Sequence, residues 1–127
     1  MNLKYCLLTL ILICKISFSQ ENSSNQLILE CIAFYNLENL FDTIVDPDTN
    51  KILQEDFTPQ GKKNYNTEKY KLKLNRLATV IDTLGKDISP LGPSIIGVCE
   101  IENRLVLDDL VSQKCIADKH YKIVHHE

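Results

Sequence analysis

The stretch Ile95-Ile96-Gly97-Val98-Cys99-Glu100-Ile101-Glu102-Asn103 decides how the chain is read. Five mostly apolar residues run straight into two carboxylates and an amide. A short continuous apolar run behind a turn at Pro90 to Pro93 reads as a strand, Ser94 to Cys99, buried on both faces. A carboxylate at the end of such a strand has two readings. The strand simply stops at solvent, or Glu100 is placed there to hold a metal ion.

A second run of the same kind lies upstream. Leu27 to Tyr35 (LILECIAFY) is rich in apolar and aromatic residues and halts at Asn36-Leu37-Glu38-Asn39. Between the two runs, Tyr70, Leu74, Leu77, Ile81 and Leu84 recur at three- and four-residue steps. That spacing predicts an amphipathic helix, capped by Asn66 or Thr67 and stopped at Gly85. Lys69, Lys71, Lys73 and Arg76 fall between its apolar positions and read as a solvated outer face rather than a phosphate site. After the second strand, Asn103 caps a short helix through Leu110 or Val111, and Tyr121 to Val124 begins a third strand. Strand, helix, strand, helix, strand is the order of a layered α/β sheet.

Two metal-like patterns fail on inspection. Residues 42–66 form a long surface loop, and loops of that length are functional or disordered. Within it, Asp46-x-Asp48-x-Asn50 opens like a calcium-binding loop, but Lys51 and Phe57 stand where that loop needs Gly and Glu. A polar turn built by Asp and Pro accounts for it. His125-His126-Glu127 offers ligand types, yet adjacent residues on a strand point to opposite faces. The last residues also arrive where the third strand would hand over to its next connection, so the sequence reads as part of a larger domain.

The first residues have a different character. Lys4 precedes an apolar run of ten, Tyr5 to Cys14, and Ser17-Phe18-Ser19 supplies small residues for cleavage. This order reads as a secretory signal peptide over residues 1–19, followed by a flexible tether over 20–26 (QENSSNQ) and a domain over 27–127. The run is shorter than the roughly 20 apolar residues of a membrane span. A retained anchor and a lipid-modified Cys14 are the alternatives, although Ile13 is large where that modification wants a small residue. Export to the periplasm or the medium follows from the main reading.

The whole chain of 127 residues carries a net charge of −3. Removing residues 1–19 takes away Lys4 and Lys15 and no acid, leaving 12 Lys and Arg against 17 Asp and Glu, a net of −5. Such a chain is not drawn to nucleic acid by its overall field, though a metal-bridged phosphate substrate is compatible with it. Of five cysteines, Cys31, Cys99 and Cys115 would remain, at no metal-like spacing and able to close one pair at most. Cys31 and Cys99 sit in apolar runs, where a free thiol behaves as a small buried hydrophobe.

Glu100 and Asn36 are therefore the candidate site. In open α/β sheets ligands bind at the carboxyl ends of strands, and both residues occupy such ends. If the strands are neighbours, a carboxylate and an amide share one crevice. Mg²⁺ is commonly held by only one or two protein carboxylates, with water and substrate phosphate completing the shell.

The stretches FYNLENLFD (34–42), EDFTPQGKKNYNTEKYKLKLNRLATVI (55–81) and IIGVCEIENRLVLDDLV (95–111) together resemble the start of a secreted bacterial member of the endonuclease/exonuclease/phosphatase superfamily, the deoxyribonuclease-like phosphoesterases. The resemblance implies a four-layer α/β sandwich, of which this chain is the N-terminal portion, with two sheets face to face and helices outside. It implies hydrolysis of a phosphate ester, nucleic acid among the substrates, with Mg²⁺ or Mn²⁺ as cofactor. Glu100 is similar to the family's metal-ligating Glu, and Asn36 to the Asn beside the metal and the scissile phosphate. The family also uses a catalytic His, an Asp-x-Asn pair and a Ser-Asp-His motif, all on later strands than those read here. His120, His125 and His126 fit none of these, so the chain by itself is expected to be inactive. The competing expectation is a small exported α/β binding module without catalysis, or an inactive remnant.

Overall fold

The computed structural model describes residues 29–48, 50 and 55–126. The expected signal peptide and tether, together with Lys51 and Glu127, lie outside the described residues. Strand β1 spans Cys31–Leu40, helix α1 Thr67–Thr83, strand β2 Pro93–Ile101 and helix α2 Arg104–Val111, followed by a 3₁₀ turn over Ala117–Lys119. The protein is α/β: β1 and β2 pair in parallel as a two-stranded sheet. Parallel neighbours need a crossover connection, and α1 supplies it.

The helices follow the sequence closely. Asn66 caps α1 by accepting the Lys69 N–H at 3.0 Å, and Asn103 caps α2 by accepting the Val106 N–H at 3.2 Å. Gly85 follows α1 at φ 65°, a left-handed position that glycine takes without steric cost. The apolar stripe of α1 buries Tyr70, Leu74, Leu77, Ala78 and Ile81. It meets Val106, Leu107 and Leu110 of α2, with Leu37, Leu40 and Ile116 completing one core. Each fully buried aliphatic side chain there contributes about 1.5–3 kcal/mol of transfer free energy. Tyr70 also donates to Asp109 Oδ2 at 2.7 Å, joining α1 to α2; burial and that bond push its phenol well above the usual range.

Three expectations are corrected. The strands are not buried on both faces: Ile32 and Phe34 are 74% exposed and Ile95 is 61% exposed. Both registers of each strand are apolar, but among the described residues the helices cover one face alone. On the open face, the Phe34 ring lies over Gly97, where an added Cβ would come within 2.9 Å of it.

Second, Tyr121 to Val124 is not a strand. His120 turns left-handed at φ 54° after the 3₁₀ turn, and Lys119 is held by the Leu91 carbonyl at 2.7 Å. The Tyr121 hydroxyl donates to the Pro93 carbonyl at 2.7 Å. These ties hold the segment by side chains, beside an apolar groove of about 1000 Å³ lined by Ile96 and Val98 on β2 and by Tyr121 and Ile123.

Third, the long loop is not all surface. Its described second half sends Phe57 and Tyr65 into the core, where Phe41 stacks on Phe57 at 4.6 Å and Tyr65 meets Phe57 edge-on at 5.4 Å. Backbone bonds from Gly61 and Tyr65 to the Thr58 carbonyl fold it into a compact turn. Among the described residues of the first half, Asp46 accepts from the Asp48 N–H and Asp48 from the Asn50 N–H, as a polar turn would.

Candidate functional site

β1 continues past Asn36, so that residue lies inside the strand rather than at its end. The ladder runs in step from Ile32 opposite Ile95 to Asn36 opposite Cys99, then resumes at Leu40 opposite Ile101. Four residues of β1 thus span what two residues of β2 span. The excess is taken up by Glu38 and Asn39, both left-handed at φ 54° and 59°. Across from them Glu100 is left-handed as well, at φ 58°. The left-handed region costs an ordinary L residue about 1–2 kcal/mol, less for Asn. Strain of that kind persists only where surrounding contacts hold it, and it gathers at ligand sites.

The contacts are specific. Asn36 Nδ2 donates to Glu100 Oε1 at 2.8 Å, and the Glu38 N–H donates to Asn36 Oδ1 at 2.7 Å. A backbone N–H can only donate, so the amide has one orientation: oxygen to Glu38, nitrogen to Glu100. Both expected site residues come together at the carboxyl end of the sheet, exposed to solvent.

The bulge is pinned from below. Lys73, on the third position after Tyr70 in α1, sends its ammonium to the carbonyls of Glu38 and Asn39 at 2.5 and 2.9 Å. Burial lowers the Lys73 pKa; Glu38 and Glu100 draw it up again, and Lys63 pushes it down. Lys63 itself sits 3.7 Å above the Phe57 ring. The basic face of α1 is therefore not wholly solvated: Lys73 turns inward to backbone, and Lys69 donates to the Lys63 carbonyl at 2.8 Å.

A second polar knot closes the same end of the sheet. Glu102 Oε2 accepts the Asp42 N–H at 2.8 Å, and the Glu102 N–H donates to the Leu40 carbonyl at 3.1 Å. Asp42, 7% exposed, accepts from the Ile44 N–H at 2.6 Å and from Asn103 Nδ2 at 3.1 Å. Glu102 is thus a structural link between the two strand ends. Beside the knot the Tyr65 hydroxyl is buried with no hydrogen-bond partner among the described residues. Burial, then the Asp42 and Glu102 carboxylates, push its phenol up to about 12.

Sequence reasoning missed Lys73, Asp42 and Tyr65. Lys73 carried a usable signal, because it follows Tyr70 by three and precedes Leu77 by four, on the flank of the buried stripe. No group of three or more His, Cys, Asp or Glu side chains among the described residues is arranged to enclose a metal. One exposed carboxylate with a fixed orientation still fits Mg²⁺ or Mn²⁺, which keep most of their own water. Cys31, Cys99 and Cys115 are free thiols, each partly buried. No helix among the described residues is long and apolar enough to cross a membrane.

The model of the Endonuclease/Exonuclease/phosphatase family matches residues 31–127. The chain belongs to that family, whose members hydrolyse phosphate esters and in general use divalent metals. Comparison with curated proteins and with solved structures gave no match.

Proposed function

We propose that this chain is the N-terminal part of an exported, Mg²⁺- or Mn²⁺-dependent phosphoesterase or nuclease. In this reading Glu100 holds the ion and Asn36 fixes the Glu100 carboxylate through Nδ2. The observation that carries it is the Asn36–Glu100 hydrogen bond, made across adjacent strands between two residues 64 apart and framed by three left-handed residues. Turning the Asn36 nitrogen to Oε1 leaves Glu100 Oε2 as the outward ligand atom and Asn36 as its orienting partner. A divalent ion bound there would supply positive charge to phosphoryl oxygens as water attacks phosphorus. Asn36 limits rotation of the carboxylate, and the backbone N–H of Glu38 holds the amide that does so.

The open apolar face of β1 and β2, with Ile32, Phe34 and Ile95, supports the second sheet expected of a four-layer sandwich. Residues 1–19 act as the export signal in this proposal. Calorimetric titration of the chain with Mn²⁺ tests the site. We expect binding that Glu100→Gln weakens at least tenfold; equal affinity in the two proteins would remove Glu100 from the site. Hydrolysis of a generic phosphodiester by the chain alone is expected to be undetectable, for want of a water-activating His worth a factor of about 10²–10⁴.

A further inference from the structure

The strained bulge of β1 is held by one side chain from a different element. Glu38 and Asn39 present their carbonyls side by side, and both point at Lys73 Nζ. Two successive left-handed residues bring those carbonyls together, and two parallel dipoles facing each other repel unless a donor stands between them. An ammonium with three hydrogens can serve both. The same bulge aims the Glu38 N–H at Asn36 Oδ1, and through it the Asn36 nitrogen at Glu100. The chain of contacts is continuous: Lys73 to the 38–39 carbonyls, the Glu38 amide to Asn36, Asn36 to Glu100.

We propose that Lys73 is the positioning residue of the Asn36–Glu100 pair, acting from α1 through the Glu38–Asn39 bulge and without contact to substrate. The proposal rests on the reading of Glu100 as metal ligand for its functional part, and on geometry alone for its structural part. Lys73 is half-buried at the edge of the core. An ordinary surface lysine of α1 needs no such placement, and none of Lys71, Lys69 or Arg76 reaches this bulge among the described contacts. The crossover helix thereby does more than connect two strands; it sets the conformation at the end of the first one.

The test uses the full chain with Lys73→Met, which keeps the aliphatic stem, Lys73→Arg, which keeps two donors for two carbonyls, and Glu100→Gln. Two readouts are taken: amide exchange at Glu38 together with the Asn36 side-chain NH₂ resonance, and Mn²⁺ affinity. Lys73→Met is expected to speed exchange at Glu38 at least tenfold and to shift the Asn36 resonance, while the capped amides of Lys69 and Val106 keep their protection. It should weaken Mn²⁺ binding at least fivefold, and Lys73→Arg should recover most of both. Unchanged exchange at Glu38 in Lys73→Met would overturn the proposal outright. Faster exchange with wild-type Mn²⁺ affinity, in a protein where Glu100→Gln abolishes binding, would overturn its functional part and leave Lys73 a structural tie. Equal Mn²⁺ affinity for wild type and Glu100→Gln would instead sink the reading of Glu100. In that case the exchange data alone support or overturn the positioning claim. Loss of protection at Lys69 and Val106 together with Glu38 in both lysine variants would show general loosening and overturn it too.

Discussion

Glu100 and Glu102 sit two residues apart at the end of one strand, and their surroundings could hardly differ more. Glu102 is tied into a knot with Asp42 and Asn103, its oxygen on a backbone amide and its own amide on the first strand. Glu100 lies exposed in a strained backbone conformation and takes one bond from a side chain that is itself held in place. The first arrangement satisfies hydrogen bonds and closes the fold. The second costs conformational energy while leaving a carboxylate oxygen facing solvent. Residue type is shared and the two positions are nearly so, yet the two acids differ in their partners and in the sign of φ.

The contrast can be broken most forcefully at Asp42. Asp42→Ala leaves the Ile44 N–H and Asn103 Nδ2 without their acceptor in a part-buried site, and we expect a loss of about 3 kcal/mol in urea unfolding. A loss under about 0.5 kcal/mol would mean the knot is ornamental. Asn103→Ala removes a helix cap and the same contact, for about 1–2 kcal/mol.

Substitutions at Glu100 should run the other way. Glu100→Gly relieves a left-handed residue and is expected to stabilise the protein by about 1 kcal/mol while removing the proposed ligand. Destabilisation by that amount would show that Glu100 belongs to the structural class after all. Tyr65→Phe deletes a buried hydroxyl that has no described partner, and a change between zero and about 1 kcal/mol of added stability is expected from thermal unfolding.

The smallest effect is one of pH. A phenol whose folded pKa lies near 12, above its ordinary 10.0, keeps its proton more tightly in the folded state. Its contribution is fully present below pH 10 and is lost as pH rises from there towards 12. Stability should therefore fall over that interval, and Tyr65→Phe should shallow the fall; an unchanged slope would place the loss elsewhere, Tyr70 and Tyr121 first, since burial raises both.

The helices were legible in the sequence because their information is local. A 3.6-residue stripe and an Asn three residues before a bonded amide specify α1 and α2 almost to the residue. The place of Glu100 near a strand end was legible, because an apolar run that meets an acid marks one. Asn36 reads as a strand end although β1 runs on to Leu40, since nothing local announces that a strand will pass through two left-handed residues and continue. Tyr121 to Val124 misled for the opposite reason: Tyr-Lys-Ile-Val alternates as a strand does, yet a ladder needs a partner at the right height, which composition does not encode. Lys73 was hidden by its neighbours. Among four basic residues on one helix, the sequence pattern does not tell the one that turns inward from the three that do not, except by its offset from Tyr70 and Leu77.

The parallel pairing has a consequence in time. Asn36 and Glu100 are separated by 64 positions, and every rung between β1 and β2 closes a loop of similar length. Closing it carries an entropic cost before any rung repays it, which slows folding relative to local contacts. A chain made from its first residue onward displays β1 long before β2 exists. For that interval Ile32, Phe34 and Tyr35 form a bare edge open to any passing strand. Guarding β1 until α1 has swung across is thus a demand that this topology places on whatever carries the nascent chain.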